Sequence, residues 1–306
     1  MKRLSLTAVN DVSFGVKEGE IFGLVGESGC GKSTLAKVVL RLLEATSGAV
    51  LFEGQDINKM SRQELKKIRR QMQVVFQDPY DSLNPRLTLE QLAAEPLIIH
   101  KYGDKAARRR RIEELFLQVG LPPELMQRYP HQLSGGQRQR LCIARSLALS
   151  PKFVICDEAV SSLDVSIQAQ ILNSLLDLKE QNGLTYLFIS HDLSVVKFIS
   201  DRIGVMYLGC LVELAKTEDL FSNVLHPYTH ALISAVPEAD PDSSTERVLL
   251  QGGVPSLLYP PGGCVFHDRC PFKQDICERQ VPALQDRGGH AVACHFSGQL
   301  DMNIAL

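Results

Sequence analysis

The apolar run Ile21-Phe22-Gly23-Leu24-Val25 ends at Gly26-Glu27-Ser28-Gly29-Cys30-Gly31-Lys32-Ser33-Thr34, and a helical pattern follows at once. Few features restrict a fold more. Gly-x-x-x-x-Gly-Lys-Ser needs its glycines so that backbone N–H groups can wrap phosphates without side chains in the way. Such a loop requires a buried strand before it and a helix after it, whose N-terminal dipole favours an anion. The helix is expected over 33–43, with Leu35, Val38, Val39 and Leu42 on one side. Lys32 supplies a point charge for β and γ phosphates, and Ser33 offers a hydroxyl to Mg²⁺.

Strands and helices then alternate. Strands are expected at 49–52, before the turn Glu53-Gly54, and at 74–76, ending at Gln77. Others are expected at 153–156, feeding Asp157-Glu158, and at 186–189, ending at Ser190-His191. The stretch 92–149 is helical and more polar, and 168–178 reads as an amphipathic helix. Polar residues at strand ends imply an α/β fold with a largely parallel sheet covered on both faces. Asp157 suits a Mg²⁺ shell, and Glu158 beside it can orient or deprotonate an attacking water. Past Ser222 the composition shifts toward Pro, Gly and Cys, which marks a C-terminal module.

Charge excludes some partners. The 306 residues carry 33 Lys+Arg against 35 Asp+Glu, a net charge of −2, so nothing general favours nucleic acid or an anionic membrane. Arg108-Arg109-Arg110-Arg111 is followed by Glu113-Glu114, and a solvated helix face is expected there. No apolar run approaches the roughly 18 residues that span a bilayer. Met1-Lys2-Arg3-Leu4-Ser5-Leu6 resembles a leader only faintly, because Asn10 and Asp11 end the apolar stretch; cytosolic residence is expected.

In chain order stand the phosphate loop, Gln77, Leu133-Ser134-Gly135-Gly136-Gln137, Asp157-Glu158, Ser162-Leu163-Asp164 and His191. That order resembles the ATP-binding subunit of an ABC transporter. The resemblance implies a P-loop NTPase (RecA-like) core, with a mostly parallel sheet and a small antiparallel β region. It also implies a helical signature subdomain and a small loop-rich C-terminal Cys module. The boundaries expected are 1–91 and 151–222 for the core, 92–150 for the helical part and 223–306 for the module. ATP and Mg²⁺ are the implied ligands: Gly26, Ser28, Gly29, Cys30, Gly31, Lys32, Ser33 and Thr34 hold the nucleotide. Gln77 resembles the glutamine that touches Mg²⁺ and senses a transmembrane partner. Ser134, Gly135, Gly136 and Gln137 resemble the signature that closes over ATP on the opposite subunit. Asp164 resembles the aspartate at that seam, and His191 the histidine that contacts the γ-phosphate. Ser134 is expected to start a helix, so its N–H groups form an anion site with no loop of its own to fill it.

The stretches 76–86, 164–170 and His226-Pro227-Tyr228-Thr229 are similar to the oligopeptide/dipeptide importer branch. The branch implies a second ATPase subunit in a heterodimer, two transmembrane permeases and an extracytoplasmic solute-binding protein, with no nucleic acid. This subunit would sit peripherally on the cytoplasmic face of the plasma (inner) membrane. Nickel importers share the branch; a soluble non-transport ABC ATPase and an inactive regulatory partner are the other readings. Lys32, Asp157, Glu158 and His191 disfavour the last.

Of eight cysteines, Cys30, Cys142, Cys156 and Cys210 read as small buried thiols. Cys264-x5-Cys270-x6-Cys277-x16-Cys294 offers four soft thiolates, looser in spacing than a zinc ribbon. Some members of the branch carry a [4Fe-4S] cluster at matching cysteines, which the resemblance implies here; zinc and free thiols stay open, with His267, His290 and His295 as competing ligands. Two departures from the family pattern stand out. Relatives begin further upstream, with a strand and an aromatic that stacks on adenine, whereas the first aromatic here is Phe14, in what reads as a strand. Weak ATP affinity of the isolated chain follows. Ala159 also stands where Asp-Glu-Pro is usual, which loosens the turn after Glu158 but leaves both carboxylates.

Overall fold

Burial explains the first strand: all of β1 (Ile21–Val25) is buried, and it delivers the chain to α1 (Lys32–Val39). A hairpin of β2 (Leu51–Phe52) and β3 (Gln55–Asp56) follows, then α2 (Arg62–Ile68) and β4 (Met72–Val75). Next come α3 (Pro79–Ser82), α4 (Leu89–Ile99), α5 (Lys105–Gln118) and α6 (Gly135–Leu147), before β5 (Phe153–Asp157). After α7 (Val165–Asn182) come β6 (Thr185–Ser190), α8 (Leu193–Ile199), β7 (Arg202–Tyr207) and β8 (Cys210–Lys216). The remainder is α9 (Thr217–Ser222), α10 (Pro227–Ser234), α11 (Asp275–Arg279), β9 (Gln285–Asp286) and β10 (Ala291–Val292). This computed structural model describes residues 6–236, 250 and 252–300; most of the faintly leader-like start lies outside them.

Two compact units result. One comprises the described residues up to Gly15, Phe22–Leu35 and the described residues from Ser190 on; the other comprises Val16–Ile21 and Ala36–Ile189. In the first unit β1 pairs parallel with β7, Phe22 opposite Arg202, and β7 pairs antiparallel with β8. β9 and β10 extend that sheet, since β10 pairs antiparallel with β8 and with β9. In the second unit β4, β5 and β6 are parallel, and β5 and β6 are buried throughout, as a sheet covered on both faces requires. The first unit thus mixes parallel and antiparallel pairing, and β4, β5 and β6 of the second pair in parallel.

Side-chain caps set the helix starts. Ser61 with Glu64, Thr88 with Gln91 and Ser134 with Gln137 form reciprocal capping boxes. Each cap contributes about 1 kcal/mol. Gly183 closes α7 with a left-handed φ of 62°, donating its N–H to Lys179 O.

Several expectations need correction. α1 stops at Val39, short of 43: Arg41 turns the chain with φ 49°, its guanidinium satisfies Ile57 O and Met60 O, and Leu42 is exposed. Phe14 lies outside any assigned strand, and its ring stacks on Phe22 with centroids 4.8 Å apart. The four arginines are not one solvated face. Arg109 pairs with Glu113, and Arg108 donates to Tyr102 O and Gly103 O. Arg111, however, is largely covered and ties α5 to Leu147 O at the end of α6. Cys30, Cys142 and Cys156 are buried, but Cys210 is half-buried. No helix among the described residues is long and apolar enough to cross a membrane.

Candidate nucleotide site

Between β1 and α1 the loop needs glycine for definite reasons. A Cβ on Gly31, at φ 106°, would lie 2.2 Å from Ala8 O; one on Gly26 would lie 2.2 Å from Met206 O. The backbone is thus pressed between the N-terminal segment and the end of β7, where a bulge shifts register at Val205/Met206. Lys32 is buried and its ammonium donates to Gly26 O at 2.7 Å and Glu27 O at 3.0 Å, so its charge is held inside the loop. Burial pushes the Cys30 thiol up despite Lys32 nearby, which keeps it neutral. Glu27 has two further partners. Its N–H donates to Tyr228 Oη at 2.9 Å, and Arg269 forks its carboxylate at 2.7 and 3.1 Å. Neither partner was anticipated from sequence, although a carboxylate inside a phosphate loop calls for a counter-charge. His191 is exposed just after β6, and Asp192 beside it caps α8.

In the other unit Asp157 ends β5 buried, as expected of a strand-end carboxylate. Glu158 takes the next position with a left-handed φ of 50°, an uncommon conformation for a non-glycine residue. Its N–H donates to Ile189 O at 2.9 Å, and Gln77 Nε2 donates to its carboxylate at 2.8 Å. Gln77 and Glu158, far apart in sequence, therefore meet. Ala159 and Val160, next in the chain, are buried.

Ser134 caps α6 as expected: its Oγ accepts from Gln137 N at 3.3 Å, and Gln137 Oε1 accepts from Ser134 N at 3.0 Å. Ser134 is exposed and Gly135 half-exposed, so the first turn of α6 opens outward. The same surface carries the 161–165 segment. A Cβ on Gly135 would lie 3.5 Å from Leu163, and one on Gly136 only 2.5 Å from Ile167 Cγ2. Asp164 and Val165 are exposed there, Val165 by 83%. The first turn of α6 and the segment 161–165 thus lie side by side on one exposed surface.

Cys264, Cys270, Cys277 and Cys294 line one cavity of about 20 Å³ with His226, His267 and His295. Burial pushes Cys264 up to about 11 and Cys270 up to about 12, and the neighbouring thiols add to both shifts. His290 pairs instead with the buried Glu213, at 2.7 Å. Convergence of the four thiols was expected. The cluster does not fit them as placed: the cavity has room for about one water-sized sphere. Among the described residues no group of three or more His, Cys, Asp or Glu is arranged to hold a metal ion.

A glycine-wrapped loop between a buried strand and a helix, with a buried carboxylate after a second strand, defines a P-loop nucleotide-binding protein. Comparison with known families narrows this. Residues 9–161 match the ABC transporter family model, and 212–277 match the oligopeptide/dipeptide transporter C-terminal region. The chain is 52% identical to the oligopeptide transport ATP-binding protein AppF of Bacillus subtilis, covering 94% of this chain and 89% of that protein. It is 51% identical to a putative peptide import ATP-binding protein of Brucella ovis, covering 95% and 92%. The dimeric ABC transporter cassette MJ0796 superposes with TM-score 0.63 at 34% identity, over 69% of this chain and 90% of that one. The chain belongs to the ABC transporter ATP-binding family, in its oligopeptide/dipeptide branch, and is an ABC-type ATPase.

Proposed function

We propose that the chain hydrolyses ATP at a dimer seam and couples hydrolysis to uptake of di- or oligopeptides through membrane permeases. Its place would be the cytoplasmic face of the plasma (inner) membrane, opposite an extracytoplasmic solute-binding protein. The observation that carries the ATPase part is the strained Glu158, whose carboxylate Gln77 orients at 2.8 Å. A carboxylate so fixed is ready to take a proton from water without reorganising.

Roles follow for the other residues. Backbone N–H groups over 26–34 cradle the phosphates, and Lys32 neutralises them. Ser33, Gln77 and Asp157 offer a hydroxyl, an amide oxygen and a carboxylate, hard donors that suit Mg²⁺. That ion neutralises charge developing on the β and γ phosphates. His191 contacts the γ-phosphate. Ser134, Gly135, Gly136 and Gln137 of one subunit close over ATP held by its partner, with Asp164 across the seam. The exposed pairing of α6 with the 161–165 segment supports this. MJ0796, similar to this chain, has been solved as a dimer. Phe14 is engaged with Phe22, which supports weak ATP affinity in the isolated chain.

A cavity of about 310 Å³ supports the permease partnership. Phe76, Pro96, Ile99 and Leu149 line it, with Glu95 and Arg145 paired at its rim, and Phe76 directly precedes Gln77. An inserted permease helix would press on the segment that carries Gln77. The four cysteines share one small cavity but, as placed, do not form a cluster site; colourless, iron-free protein is expected on anaerobic purification, and brown, iron-containing protein would overturn that reading.

The roles separate in one assay. Glu158→Gln should slow hydrolysis by about 10²-fold or more while ATP binding persists. Lys32→Ala should abolish binding itself. Wild-type turnover in Glu158→Gln would show the base to be misassigned.

A further inference from the structure

Within the phosphate loop the charged side chains are Glu27 and Lys32. A carboxylate beside bound phosphates is repelled by them, strongly so where solvent is thin. The fold answers with two contacts from the C-terminal residues. Arg269 is 7% exposed and meets both oxygens of Glu27, which is itself 28% exposed. Tyr228 accepts the Glu27 N–H.

Both partners are rigidly seated. Tyr228 stands in the first turn of α10, where its own N–H donates to His226 Nδ1 at 3.1 Å. Arg269 closes a short turn directly before Cys270 and also reaches Tyr207 Oη. The rings of Tyr207, Tyr228 and Phe266 pack against one another, with centroids 4.7 to 5.5 Å apart. Two segments separated by some forty residues thus converge on a single loop residue. A bidentate guanidinium–carboxylate pair fixes direction as well as charge. The glycines let the loop pack closely at Gly26 and Gly31, and the clamp holds Glu27 between them.

We propose that Arg269 and Tyr228 are positioning residues for nucleotide binding: they neutralise and tether Glu27, so the C-terminal module sets how tightly the phosphate loop holds ATP. The inference rests on the reading above that residues 26–34 bind the phosphates.

The test is titration of a fluorescent ATP analogue with Mg²⁺ into the full chain, with melting followed by circular dichroism. Arg269→Gln should raise Kd about tenfold, because it leaves a bare carboxylate beside the phosphates. Tyr228→Phe should raise it about threefold, the loss of one hydrogen bond. Glu27→Gln combined with Arg269→Gln should return Kd to within about twofold of wild type, since no charge is then left to neutralise. A merely structural arginine would give a double variant no tighter than Arg269→Gln, and that result overturns the proposal. So does wild-type affinity in both Arg269→Gln and Tyr228→Phe while Lys32→Ala loses binding. Should Lys32→Ala bind like wild type, the phosphate-loop reading fails and takes this proposal with it. If Arg269→Gln does not fold, the neutral double variant and Tyr228→Phe decide.

Discussion

Lys32, Glu213, His226 and Arg269 are buried ionisable residues of the unit that carries the phosphate loop. His226 is 1% exposed; burial depresses its pKa to about 4, and Glu213 nearby opposes this only in part. Its Nδ1 must stay unprotonated to accept from Tyr228 N–H. The unfolded chain takes a proton near pH 6.5 and the folded one does not until about pH 4. Stability from this residue is therefore complete above about pH 6.5 and drains away as pH falls toward 4. His226→Asn keeps a capping oxygen and removes the titration. Its melting temperature should fall less steeply than wild type between pH 6.5 and 4; parallel curves would contradict the assignment. Glu158 shows the opposite economy, spending backbone strain to fix a carboxylate that Gln77 then holds.

At the scale of elements, the contact between α6 and α7 decides whether the signature is presented correctly. Gly136 lets the first turn of α6 lie against Ile167, with 2.5 Å left for any added Cβ. Gly136→Ala should destabilise the protein by about 1–3 kcal/mol by overpacking. Adding Ile167→Ala should recover part of that loss, and denaturant melts would measure both. An unrecovered double variant would place the strain elsewhere. Elements of this kind were legible in advance when the cause was local. An unbroken apolar run fixed β1, the signature at 133–137 marked Ser134 as the start of α6, and Gly-x-x-x-x-Gly-Lys-Ser located the loop. What escaped is non-local. Nothing near Phe14 reveals that its ring stacks on Phe22 without a strand, and nothing near Glu27 names Arg269. The early stop of α1 is set by Arg41 reaching carbonyls at Ile57 and Met60. The four late thiols were legible as one group, but not how small a space they enclose.

For the whole molecule, the open face of Ser134, Gly135, Asp164 and Val165 is the feature that a lone chain does not use. ATP held on a phosphate loop and capped by another subunit's α6 would join two subunits, and hydrolysis would part them. Sedimentation velocity of the Glu158→Gln chain mixed with its partner ATPase tests this most directly, with and without ATP, and with Ser134→Arg added. ATP should double the sedimenting mass, and Ser134→Arg, which fills the anion site with a bulky cation, should abolish the doubling while each chain stays folded. Equal ATP-driven association with Ser134→Arg in place would contradict the account.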